Sequence, residues 1–242
     1  MPAFFDEASA TSKSLKRAAN GVLGAAAGGI FAASLSSPLT AAEVTFERLK
    51  NAESEAGNWL TNHKTYDARR FSTLDQINQA NIKNLHVAFV VQLGGTEPGG
   101  DKAHAREQST PLIEDGMLYM TDGWSDVYKI DVRDGKKGRI VWKMDPGVDK
   151  STVWLPSNRG VALYGNQVIS LTTDGRVIAT DKDTGKVLWD NNYRVSETDS
   201  FTGAPLLVKD MIIVPGSGGD IGDRRRHRQA RLVFPIHPER QV

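Results

Sequence analysis

The chain has 242 residues, is 39% hydrophobic and carries a formal net charge of +1. That is enough length for a globular core, and there is no overall charge to direct the chain to nucleic acid. It contains no cysteine, which excludes disulfides, thiolate metal sites, cysteine nucleophiles and c-type haem attachment within these residues.

Residues 1–42 do not read as fold. A basic patch, SLKRAAN (14–20), precedes a small-residue apolar run, GVLGAAAGGIFAASL (21–35). The run is too short to span a bilayer comfortably. SSPLTAAEV follows, with a cleavage point expected after Ala42. Basic, then apolar, then small is the order of a secretory signal peptide, so export is expected; an N-terminal membrane anchor or a disordered tail is the alternative.

Residues 43–85 read as a helical or irregular arm. Val44, Phe46 and Leu49 share a helical face. STLDQINQANIKNL (72–85) spaces Leu74, Ile77, Ile82 and Leu85 as a helix would, with Ser72 and Asp75 as a capping pair. Trp59, Tyr66 and Phe71 serve as anchors between the two.

Residues 86–222 read as all-β. Short runs such as VAFVVQL, GMLYMT, RIVWKM, RVIATD and MIIVPG are separated by turn pairs, among them Asp115-Gly116, Gly165-Asn166, Asp174-Gly175 and Thr184-Gly185. The runs repeat. DGKKGRIVWKMDP (134–146) and DKDTGKVLWD (181–190) close two units, and Trp142 and Trp189 lie 47 residues apart. Several short strands and a closing Trp at that period describe propeller blades. A blade has two apolar faces, and a large ring between neighbours buries much area at one position. A β-sandwich with coincidental turns is the alternative.

A third unit opens at Lys209-Asp210, but no third Trp closes it. Residues 223–242 have no strand alternation, which leaves a solvated basic tail or a change of reading frame. One allowed set of codons for HRQARLV (227–233), read from its second base, encodes Thr-Gly-Lys-Leu-Val-Trp, nearly the phrase at 184–189. The tail from about Asp223 is therefore expected to be an out-of-frame read of the third blade.

Four stretches carry a resemblance: NWLTNHKTYDARRFSTLDQINQANIKNLHVAF, STPLIEDGMLYMTDGWSDVYKID, NRGVALYGNQVISLTTDGRVIATDKDTGKVLW and FTGAPLLVKDMIIVPGSGGDIG. Together, from about Gly57 to Gly222, they resemble successive segments of the pyrroloquinoline quinone (PQQ) dependent alcohol dehydrogenases. The resemblance implies about three blades of an eight-bladed quinoprotein propeller, preceded by a signal peptide and a short helical arm. It implies oxidation of an alcohol by hydride transfer to PQQ beside Ca²⁺ or a lanthanide acting as Lewis acid. Electrons would pass to cytochrome c or a membrane quinone.

By the same resemblance, Arg159 matches an arginine on the carboxylate side of the quinone, and Thr202 a cofactor-contacting threonine. Ser217, Gly218 and Gly219 match a stretch that approaches the ring closely. Asp220 stands at an acidic metal-ligand position that is usually Glu. Two departures stand out. Gln108 occupies the place of a cofactor-contacting Glu, while Glu107, next to it, points the other way on a strand. VWLPSNRG lacks the paired cysteines many relatives carry, leaving Trp154 or Leu155 to cover the ring. The catalytic base and second metal ligand lie in later blades of the family, so the chain alone is expected to be inactive. Bare sheet faces and edges predict self-association. A non-catalytic PQQ-repeat scaffold of the cell envelope is the other reading, and Arg159, Thr202 and Asp220 argue against it. The five histidines show no metal-ligand spacing.

Overall fold

A computed structural model describes residues 43–98, 104–151, 153, 156–194, 199–215 and 231–236, with backbone alone for 231–234. The expected signal peptide, Trp154, Leu155 and residues 216–230 lie outside the described residues.

The all-β expectation holds. The first sheet has the order β2-β3-β4-β5, from Leu112–Glu114, Met117–Thr121, Val127–Asp131 and Arg139–Met144. The second repeats it as β7-β8-β9-β10, from Ala162–Tyr164, Gln167–Leu171, Arg176–Asp181 and Val187–Asn192. The third sheet runs β11-β12-β13, from Leu206–Val208, Met211–Pro215 and Arg231–Pro235. All pairs within these sheets are antiparallel neighbours in sequence. These are three successive blades. A short parallel pair, β1 (Arg106–Glu107) with β6 (Ser157–Asn158), joins the lead-in segments of the first two.

The turn pairs act as their residue types require. Asp115 and Gly116 both have positive φ, 50° and 74°, and close the β2–β3 hairpin as a type I′ turn. The repeated phrase is also a structural repeat. In each of the first two blades the outer strand bulges one residue before its Trp, and Trp142 pairs with Lys129 as Trp189 pairs with Ala179. Trp142 lies on the next blade. Its Nε1 donates to the carbonyl of Lys182 at 3.1 Å, and a Cβ on Gly185 would fall 2.8 Å from its ring. Trp189 Nε1 is buried with no partner among the described residues. The third-blade segment that would correspond to Lys182 and Gly185 lies outside them.

Burial follows this stacking. Val177, Ile178 and Ala179 are all buried, because the central blade is covered on both faces. The arm seals one side. Its helix α1, Phe46–Lys50, is capped by Thr45, whose Oγ1 accepts from Arg48 N at 3.2 Å. Val44 bridges to Gly165 and Trp59 to Ile113. Buried Glu114 accepts from Arg48 of the arm and from Lys182 Nζ of the second blade, the latter at 2.7 Å. One carboxylate thus joins three parts of the chain.

Two local expectations fail. The helix expected over 72–85 is irregular, with one 3-10 turn at Ile82–Asn84. Its apolar positions find no packing surface among the described residues: Leu74, Ile77, Ile82 and Leu85 are all exposed, and an isolated helix of that length is marginal. Asparagine side chains capture the backbone instead. Asn81 Oδ1 accepts from Asn78 N at 2.8 Å, and Asn78 Oδ1 from Ala80 N at 3.0 Å. Ser72 accepts from Leu74 N rather than capping a helix. The second difference is in the tail, where no strand was expected. β13 pairs with β12 in register, Ile212 opposite Phe234 and Ile213 opposite Val233. A five-residue apolar run beside an open strand edge is enough to extend a sheet without alternation.

Candidate cofactor site

The lead-in to each innermost strand sits at the same register. Gln108, Asn158 and Thr202 each stand seven residues before the turn residue Asp115, Gly165 or Lys209. The site is assembled from these three lead-ins. Between them and the arm lies a cleft of about 630 Å³, lined by Gln108, Arg159 and Thr202 together with Asn62, His63 and Tyr66.

Arg159 follows Asn158 directly and swings to the third blade. Its Nη1 donates to Thr202 Oγ1 at 3.0 Å and to Thr202 O at 2.9 Å. The structure therefore brings together Gln108, Arg159 and Thr202. Arg159 Nε and Nη2 have no hydrogen-bond partner among the described residues, nor does the Gln108 amide. Glu107 turns away as its strand position requires, and its Oε1 accepts from Gly123 N at 3.0 Å. Ser217, Gly218, Gly219 and Asp220 lie outside the described residues.

Asn158 holds the lead-in in place. It is buried, and Nδ2 donates to Leu171 O at 2.7 Å and to Ser125 Oγ at 3.1 Å. Its Oδ1 accepts from Thr121 Oγ1 at 2.9 Å and from Gly160 N at 2.8 Å. Gly160 has φ +123°, and a Cβ there would meet the Thr110 carbonyl at 3.0 Å. Thr110 N in turn donates to Arg159 O at 3.1 Å. Sequence reading passed over Asn158, although the seven-residue spacing to each turn marks it. It read the arm, Tyr66 included, as packing and not as a wall of this cleft. Tyr66 OH donates to Leu207 O at 2.5 Å, and burial pushes the phenol up to about 12. Arg70 Nε donates to Nδ1 of His63 at the cleft rim, at 3.1 Å.

A second polar cluster sits in the β3–β4 loop. Asp122 is fully buried and accepts from Tyr128 OH at 3.0 Å, Trp124 N at 2.9 Å and Asp126 N at 3.0 Å. Burial raises its carboxyl above the usual range. Burial likewise raises Asp126 to about 6, against the opposing pull of Lys143 at 2.5 Å. The loop is tied to the site by Thr121 N, which donates to Ser109 Oγ at 3.0 Å.

This donor set suits an anionic planar ligand. A guanidinium with spare N–H groups, a neutral amide and a hydroxyl line one cleft, and charge-assisted bonds to carboxylates are the strong ones. No group of three or more His, Asp or Glu among the described residues could hold a metal ion.

A family model for the PQQ-containing glucose/ethanol/alcohol dehydrogenase β-propeller domain matches residues 59–229. The chain belongs to the PQQ-dependent alcohol dehydrogenase family. The quinohemoprotein alcohol dehydrogenase ADH IIB of Pseudomonas putida is 36% identical over 197 residues, covering 78% of this chain and 27% of that protein. The lanthanide-dependent methanol dehydrogenase of Methylacidiphilum fumariolicum is 33% identical, covering 74% and 29%. Among solved structures, the quinohemoprotein alcohol dehydrogenase ADHIIG of Pseudomonas putida superposes with a TM-score of 0.65 at 31% identity, covering 74% of this chain and 25% of that one. A europium-containing methanol dehydrogenase superposes at 0.61 and 31% identity, covering 71% and 29%. The chain thus spans about a quarter of the length of these dehydrogenases.

Proposed function

We propose that this chain supplies a cofactor-holding wall of a PQQ-dependent alcohol dehydrogenase that works in the periplasm. The observation that carries the reading is the Arg159–Thr202 contact at a cleft shared with Gln108. Arg159 would hold the carboxylate side of the quinone, oriented by its bond to Thr202, and the Gln108 amide would add a neutral hydrogen bond where relatives place a charge. Ser217, Gly218 and Gly219 are proposed to approach the ring. Asp220 is proposed to offer a carboxylate to Ca²⁺ or a lanthanide, both hard cations that prefer oxygen. When bound, the quinone supplies a two-electron acceptor for an alcohol. This chain's own residues bind and orient. None is assigned to take the alcohol proton, so binding without turnover is expected of the chain alone. Cytochrome c or a membrane quinone is the proposed electron acceptor.

The test is titration of the purified chain with PQQ and Ca²⁺, followed by tryptophan fluorescence. Arg159→Ala weakens binding about tenfold or more, while Lys136→Ala, in an exposed turn, does not. Equal affinities for wild type and Arg159→Ala would sink the assignment. Turnover of ethanol with an artificial acceptor would overturn the binding-only reading. Export is checked by intact mass after expression in a Gram-negative host: a mature chain beginning at Glu43 supports it, and an uncleaved chain retained in the cytoplasm contradicts it.

A further inference from the structure

Asp122 is a fully buried carboxyl whose hydrogen bonds close only if it carries a proton. Its Oδ1 takes two backbone donors of its own loop, Trp124 N and Asp126 N. A Cβ on Gly95 would fall 2.5 Å from Oδ2, and Tyr128 OH lies 3.0 Å from it. The same phenol lies 2.9 Å from Leu93 O. A phenol has one proton. If an ionised Asp122 takes it, the Leu93 carbonyl faces the phenol oxygen with no hydrogen between them. If Asp122 is protonated, Oδ2 donates to the phenol, and the phenol donates on to Leu93 O. Only the second arrangement satisfies all three oxygens.

The surrounding charges favour the same form. Lys143 Nζ sits on Asp126 at 2.5 Å, and Lys150, over the Trp124 ring, pairs with Glu97 at 3.5 Å. Among the described residues no salt bridge reaches Asp122. Burial raises its carboxyl, and the Glu107 charge adds to this. Asp126 and, beyond it, Asp145 bring further negative charge to the loop.

This loop stands behind Gln108. Thr121 N donates to Ser109 Oγ and Gly123 N to Glu107 Oε1, both at 3.0 Å. The residues on either side of Asp122 thus hold the residues on either side of Gln108. The fit is close: a Cβ on Gly123 would fall 2.8 Å from both Ala105 Cβ and Arg106 N.

We propose that Asp122 is kept as a neutral acid and is a positioning residue for Gln108. Its proton completes the chain to Tyr128 and Leu93, which fixes residue 122 and with it the N–H groups of Thr121 and Gly123. Its part in cofactor binding rests on the reading of Gln108 given above. Ionisation leaves an unpaired charge buried in the loop, so both ties loosen as pH rises through the folded titration point of Asp122.

Three readouts on the full chain test this. Carboxyl ¹³C NMR, with the signal assigned by Asp122→Asn, follows the proton directly, and its midpoint lies above the ordinary aspartate value of 3.8. Hydrogen exchange reads the two ties without a cofactor. Protection of the Thr121 and Gly123 amides, corrected for the intrinsic effect of pH, falls roughly tenfold as Asp122 ionises. It stays constant in Asp122→Asn, which is neutral at every pH and keeps a donor for the phenol. PQQ affinity, read by tryptophan fluorescence, follows the same curve in the wild type and loses that dependence in Asp122→Asn. A midpoint at or below 3.8 overturns the proposal. So does protection or PQQ affinity that ignores the titration, or a pH dependence that survives Asp122→Asn. If midpoint and protection behave as expected but the wild type binds no PQQ, the positioning of Gln108 stands and the cofactor reading fails.

Discussion

Asn158 shows how one buried amide positions an exposed charge. All its hydrogen-bonding groups are engaged, and it fixes the backbone from which Arg159 reaches Thr202. Asn158→Ala leaves Leu171 O, Ser125 and Gly160 N without their partner, at a cost on the order of 2–3 kcal/mol. The expected result is a lower denaturation midpoint together with weaker PQQ binding. Arg159→Ala, by contrast, weakens binding with little loss of stability, since the arginine is exposed. The same melting curve for Asn158→Ala and wild type would count against the positioning role. Asp126 belongs at this scale too. Its folded carboxyl titrates near 6, against an ordinary value of 3.8, with burial as the main cause and the Asp122 and Asp145 charges adding to it. A raised carboxyl stabilises the fold fully below its unfolded value, and that contribution is lost as pH rises through 6. Asp126→Asn, which mimics the protonated form, is therefore expected to gain stability over wild type at pH 8, on the order of 1 kcal/mol, and to gain nothing at pH 4. Thermal melts of both proteins at the two pH values decide it; a gain independent of pH would point to another cause.

Between elements, stability is concentrated where one blade meets the next. Trp142 joins the outer strand of the first blade to the turn at Gly185, which has φ +74° and no room for a Cβ against the indole. Gly185→Val adds backbone strain to a steric clash, and Trp142→Ala removes the ring and its hydrogen bond. Each is expected to cost about 2–4 kcal/mol, measured by urea denaturation. Because both changes act on one contact, the double variant loses less than the sum of the two. Additive losses would mean that the two residues do not act through each other. Glu114 is the other junction. Glu114→Ala leaves Lys182 buried, 5% exposed in its side chain, without its carboxylate, and costs about 3–5 kcal/mol.

At the scale of the whole molecule, the described residues form three successive blades with apolar residues left exposed. Ahead of the first blade Val87 and Val90 are largely exposed, and the third leaves Leu206 and Met211 more than 40% exposed. Association through these exposed apolar residues would link to folding. The melting midpoint of the wild-type chain is expected to rise with protein concentration by mass action. Calorimetry at two concentrations reads this directly, and a wild-type midpoint independent of concentration contradicts the linkage.

Repeats, turn pairs and strand alternation determined the blades, because a two-residue period and a tight turn are local properties that adjacent residues settle among themselves. The Trp142 contact was legible for the same reason: the phrase recurs, and its ring needs a neighbouring blade. Gln108, Arg159 and Thr202 were legible as site residues through family resemblance, while their convergence depended on three lead-ins from three blades meeting at one cleft. Asn158 was marked only by its spacing to the turn at Gly165, while Asn62 and His63 were not legible, since an arm residue carries no local mark of what it will face. The expected helix over 72–85 failed for the matching reason. Its apolar spacing was real, but spacing makes a helix only where tertiary structure supplies a surface, and here Leu74, Ile77, Ile82 and Leu85 meet solvent. Sequence by itself determined what each segment could become; long-range packing decided which of those segments found a partner.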